Sequence, residues 1–157
     1  MQKMTSWLLG IAIASGLLLA CRTFFPKTVA ETGLAAGRLR PCPATPNCVC
    51  SEQPGEAAFV EPFAFQSPPA RAWANLRAAI LELGGVIVEE SSDYLRATFT
   101  TKVFRFVDDL ELKMDAGRMV IHVRSASRIG SSDLGLNRKR VEELRSRFNR
   151  IKAAKPD

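Results

Sequence analysis

Only one histidine, His122, occurs in the 157 residues. Histidine is the usual general base and a frequent zinc ligand, so this scarcity removes most nucleophile–base and metal arrangements. There is no Gly-rich phosphate loop, no Ser-centred elbow and no paired Cys/His cluster. A lone histidine on a strand face is ordinarily a surface residue, so no catalytic residue, metal ligand set or cofactor is assigned. Internal repeats and low-complexity tracts are also missing, which excludes repeat architectures and a disordered chain. The one aromatic residue among the basic ones of the last helix, Phe148, belongs to its apolar stripe, so the stacking platforms of a single-strand binder are not in place. No nucleic-acid partner is expected. The length suits one small domain with an appendage and excludes separate cofactor and substrate lobes.

The appendage is the first segment. Lys3 is the sole charge before Arg22, and Trp7 to Ala20 is an apolar run broken only by small residues. A basic start, an apolar stretch and small residues at a cleavage point are the layout of a secretory signal, here residues 1–20. A spanning helix wants about 20 apolar residues, so a membrane anchor is the alternative. Leu18-Leu19-Ala20-Cys21 resembles the bacterial lipobox, which implies that Cys21 carries diacylglycerol and becomes the new N-terminus. Residues 21–38 then read as a tether and 39–157 as the domain. The expected partner is membrane lipid, and the expected place is the cell envelope, facing the periplasm or exterior.

Three cysteines remain: Cys42, Cys48 and Cys50. Export implies an oxidising compartment. Cys42 and Cys48 flank a Pro- and Asn-bearing turn, which fits a small disulfide loop with Cys50 left over. Free thiols and a three-thiolate metal site are the competing readings.

Beyond residue 39 the pattern changes period. Ser67 precedes two prolines and reads as an N-cap. Trp73, Leu76, Ile80 and Leu83 recur at helical spacing until Gly84-Gly85, predicting a helix over 69–83. Val86–Glu89 and Tyr94–Thr100 are rich in strand formers, and Lys102–Phe106 reads as further extended chain. Leu110, Leu112 and Met114 alternate with charged residues, Asp115-Ala116-Gly117 makes a turn, and Met119, Ile121 and Val123 alternate on the return. Val141, Leu144, Phe148 and Ile151 predict an amphipathic helix over 137–152. The expected fold is α+β: an antiparallel meander sheet with two helices packed on one face.

Charge is uneven along the chain. Residues 118–157 hold eleven basic residues against four acidic ones, although the whole chain is only +6. Arg138-Lys139-Arg140 occupies the first turn of the last helix, where the helix field disfavours cations. A compensating anion is required nearby. Asp108, Asp109 or Asp133 can supply it and pin strand, loop and helix together. An outside anion such as phosphate, held with Arg124, Ser125, Ser127, Arg128, Asn137 and Arg138, is a second source, and a solvated basic face lying near anionic lipid is the third reading.

Leu39-Arg40-Pro41-Cys42-Pro43, Pro46-Asn47-Cys48-Val49, Tyr94-Leu95-Arg96-Ala97, Val107-Asp108-Asp109, Val123 to Gly130, Ser132 to Gly135 and Asn137-Arg138 together resemble the bacterial family catalogued as domain of unknown function 1499. The resemblance covers about Leu39 to Phe148. It implies an exported or membrane-associated protein, often a lipoprotein, and carries no activity to transfer. Members more often have Ser where this chain has Cys50, which favours Cys42 and Cys48 as the pair. The expected function is a membrane-anchored binding or assembly module built on the Arg/Asp cluster. A hydrolase using the same cluster, or a thiol or metal role for the cysteines, is the alternative.

Overall fold

The computed structural model describes residues 31–154 apart from Val103. The signal-like stretch 1–20 and Cys21 lie outside the described residues. The element order is β1 (Leu34–Ala35), β2 (Arg38–Leu39), β3 (Cys48–Cys50), β4 (Phe63–Ala64), α1 (Pro69–Glu82), β5 (Val86–Glu90), β6 (Tyr94–Thr100), β7 (Val107–Asp115), β8 (Val120–Ser127) and α2 (Leu136–Ala154).

Strands β5 to β8 form an antiparallel meander, and β3 and β4 both add to the far side of β8. The alternation of β7 and β8 sets the register, with Leu110 opposite Ser125, Leu112 opposite Val123 and Met114 opposite Ile121. A one-residue slip would send this whole set to the other face. Leu95, Ala97 and Phe99 from β6 join them, and Leu76, Ala79 and Ile80 of α1 and Val141, Leu144 and Phe148 of α2 close the same core. The fold is therefore α+β. Full burial of a Leu- or Phe-sized side chain is worth roughly 1.5–3 kcal/mol, so this face carries most of the stability. Gly85 admits the close approach of α1 to β6, because a Cβ there would lie 2.6 Å from Phe99 Cζ and 2.7 Å from Ile80 Cγ2.

The opposite face of the sheet is also covered. The β1–β2 hairpin lies over it and forms a second core from Leu39, Cys50 and Tyr94, flanked by Leu34 and Cys42. Residues up to 38 are expected in a tether, whereas Leu34–Ala35 and Arg38–Leu39 pair as this hairpin. Two-residue strands are too short to show a period, so this hairpin left no signal. Its turn at Ala36 and Gly37 has positive φ at both residues. Every residue of both cores lies between Leu34 and Ile151.

Three local expectations are corrected. Pro68, not Ser67, is the N-cap of α1, and no side chain caps it. Two successive prolines lack N–H groups, so little remains there for a hydroxyl to satisfy. Lys102 and residues 104–106 are loop rather than extended chain: Arg105 has φ +56°, and the Thr101 N–H donates to the Phe106 carbonyl at 2.8 Å. Met119 belongs to the β7–β8 turn with φ +57°, and the return strand starts one residue later.

Candidate functional site

The polar residues singled out from the sequence divide between the two faces of the sheet. On the helix face, Arg140 of α2 donates through Nη2 to Asp108 Oδ2 at 2.5 Å, both groups being buried. Its Nη1 donates to Asn137 Oδ1, and Ser125 Oγ donates to the same oxygen at 2.6 Å. The Asn137 amide donates to the Asn47 carbonyl, Ser127 Oγ and Asp133 Oδ2. Asp133 also accepts from the N–H groups of Gly135 and Asn137, at 2.9 Å each. A carboxylate of the chain itself thus sits at the α2 N-terminus, where the helix field favours negative charge. The three cations of the first turn are accommodated individually. Arg140 has Asp108, Lys139 lies 4.0 Å from Glu143, and Arg138 donates to the carbonyls of Ala57 and Phe59.

On the other face, Asp109 holds Arg128 through two hydrogen bonds of 2.7 and 2.8 Å, with Arg96 beside them. The bond to Asp109 raises the Arg128 pKa. Glu111 is fully buried and accepts three donors: Arg124 Nη1 at 2.6 Å, the Tyr94 hydroxyl at 2.8 Å and the Gly33 N–H at 2.6 Å. Burial, and then the charge of Glu111, raise the Tyr94 pKa well above its ordinary value. Arg124 Nε is buried with no partner among the described residues. Arg124 and Arg128 therefore do not face the place occupied by Ser125 and Ser127. The period of a strand separates neighbours that a linear motif joins.

Cys42 and Cys48 form a disulfide, with Cα atoms 5.6 Å apart. Cys50 is a free, buried thiol whose pKa is raised by that burial. Among the described residues no three His, Cys, Asp or Glu side chains gather as a metal site. His122 Nδ1 lies 3.2 Å from Ser51 Oγ on the wall of a cavity of about 580 Å³. Burial lowers the His122 pKa and favours the neutral ring. The Ser51 hydroxyl already accepts the Val123 N–H at 2.9 Å. Among the described residues no carboxylate hydrogen-bonds the other ring nitrogen to orient it, as a triad requires. The pair ties β3 to β8.

The feature missed in the sequence is an apolar groove at one end of the sheet. The β6–β7 and β8–α2 loops, with Leu136 at the start of α2, enclose a cavity of about 450 Å³. Phe104, Phe106, Ile129, Leu134 and Leu136 line it, and all five are exposed. Leu134 is 96% and Phe104 73% exposed. Asp108, Ser127 and Asp133 lie along its inner side, so the helix-face polar network backs the groove. Arg105 and Leu134 both have left-handed backbones, φ +56° and +54°. Such conformations cost of order 1 kcal/mol or more for non-glycine residues and collect at functional sites. Phe104 and Phe106 stack with centroids 5.6 Å apart, which holds the first loop's apolar edge together. The only sequence signal was the Phe-x-Phe pair itself, which fits a half-buried strand equally well.

No described helix is long and apolar enough to cross a membrane. The family model described as a protein of unknown function (DUF1499) matches residues 38–148. That span includes the disulfide, the six-stranded sheet, both polar networks apart from Gly33, and both groove loops. Among curated proteins, none matches the chain.

Proposed function

We propose that this chain, which belongs to the DUF1499 family, is an exported lipoprotein whose domain is a binding module, with the groove between the β6–β7 and β8–α2 loops as its binding site. The single observation that carries the groove assignment is the clustering of exposed large apolar side chains. Five of the nine on the described surface line this one cavity. Contiguous exposed apolar surface on a small domain marks an interaction site. The lipobox-like Leu18–Cys21 and the basic-then-apolar start support export and lipid anchoring at Cys21. The oxidised Cys42–Cys48 pair accords with such a compartment.

In this reading the Arg/Asp networks are scaffold. They fix β7, β8 and α2 behind the groove, and each carboxylate in them already has a cationic or N–H partner. The hydrolase alternative lacks an unengaged acid or base in that cluster. The groove is expected to bind N-phenyl-1-naphthylamine, a neutral apolar reporter, with an increase in its fluorescence. The double variant F104S/L134S is expected to lose that binding while keeping its melting temperature. Equal binding by native and variant chains, or none by the native chain, would refute the groove as the site.

A further inference from the structure

We propose that the groove end of the domain docks on an anionic phospholipid surface, with acyl chains entering between the loops and headgroups meeting Lys102 and Arg105. This rests on the groove being the binding site and adds the identity of its partner.

Two observations favour a bilayer surface over a soluble ligand. The first is charge. Lys102 and Arg105 are exposed on the 101–106 loop, and neither makes an ion pair among the described residues. The acids of the inner side, Asp108 and Asp133, are engaged by Arg140 and by the N-terminal turn of α2. The groove therefore offers apolar tips beside one lining cation, Lys102, with Arg105 exposed on the same loop. That is the pattern of an interfacial membrane binder, in which aromatic and aliphatic side chains enter the headgroup region and cations meet anionic lipid.

The second is direction. The hairpin tip, Gly37 and Arg38, lies with Asp115 and Arg118 at the β7–β8 turn. From there β1, followed back toward the N-terminus, passes Glu111 at Gly33 and heads for the Val107 end of the sheet. That end carries the groove. The described chain therefore enters the domain on the groove side of the sheet rather than at the β7–β8 turn. Tethering also makes a weak surface contact effective, because docking becomes intramolecular.

The test uses residues 31–157, which contain both cores and lack Cys21 and the apolar start. Co-sedimentation is measured with vesicles of phosphatidylcholine alone and of phosphatidylcholine with 30% phosphatidylglycerol as the anionic component. At roughly fivefold per cation near the surface, binding to the anionic vesicles is expected to be at least tenfold tighter. K102E/R105E is expected to lose that difference while still binding N-phenyl-1-naphthylamine. F104S/L134S is expected to lose binding to both vesicle types at an unchanged melting temperature. Naphthylamine binding without vesicle binding would overturn the membrane partner and leave the groove reading intact. Absence of naphthylamine binding would overturn the groove reading itself. Displacement of naphthylamine by soluble dihexanoyl phosphatidylglycerol, with no vesicle binding, would replace surface docking by capture of single lipid molecules. Vesicle binding unchanged in F104S/L134S would also refute the proposal.

Discussion

Asp108 and Asp109 are neighbours on β7, yet their carboxylates serve opposite faces of the sheet. Asp108 meets Arg140 of α2 and Asp109 meets Arg128 beyond β8. Strand alternation forces the split. The Asp108–Arg140 pair is buried on both sides, so removing one partner strands the other charge, at about 3–5 kcal/mol. Urea unfolding of D108A is expected to show a loss of that size. D108L/R140M, which removes both charges, is expected to recover most of it. A double variant no better than D108A would show that the pair is not the unit.

Glu111 joins three distant pieces of chain: Gly33 just before β1, Tyr94 of β6 and Arg124 of β8. In E111Q the Arg124 charge loses its counter-ion and one acceptor oxygen becomes a donor. A stability loss of about 3 kcal/mol or more is expected. Amide exchange at Gly33 and Leu39 is expected to rise more than in α1, because the hairpin is held to the sheet by that carboxylate. Uniform acceleration across the domain would contradict a local role.

Tyr94 is the sole tyrosine, so its ionisation is read directly from absorbance at 295 nm. Burial, reinforced by Glu111, raises its folded pKa above the ordinary value of 10.0. The un-ionised form therefore favours folding. That contribution is complete below pH 10 and is lost as pH rises above 10 toward the folded value. At pH 10.5 the folded chain is expected to show far less tyrosinate than the unfolded chain, in which about three-quarters of the tyrosine is ionised. Equal titration of the two states would contradict the buried Tyr94–Glu111 contact.

The Cys42–Cys48 bridge closes a short loop, with a sequence separation of 6. A loop of that size contributes about 2 kcal/mol in the chain-entropy account. Denaturing thiol titration of residues 31–157 is expected to count one thiol, Cys50, before reduction and three after. C42S/C48S is expected to lower stability by about that amount. Three thiols before reduction would remove the bridge.

The sheet and helices were legible because β7, β8, α1 and α2 carry strong periods of two or 3.6 over many residues. Leu110, Leu112, Ile121, Val123, Val141, Leu144 and Phe148 all occupy the core that their spacing predicts. The β1–β2 hairpin was illegible because its strands are two residues each, and its support, Glu111, lies 78 residues from Gly33. The polar residues were found, but their division into two networks required the pairing register. The groove was not found. Its apolar residues come from two loops that only the β6–β7 and β8–α2 connections bring together, and Phe104 and Phe106 mimic strand periodicity.

Lipidation at Cys21 and the place where the chain resides are tested together. The most direct measurement is mass spectrometry of the full-length chain expressed in a bacterial host and recovered from membrane and soluble fractions. The expected result is a membrane-fraction protein whose first residue is Cys21 carrying a diacylglycerol mass, with C21A leaving the unmodified precursor. An unprocessed chain beginning at Met1, found in the soluble fraction, would contradict it.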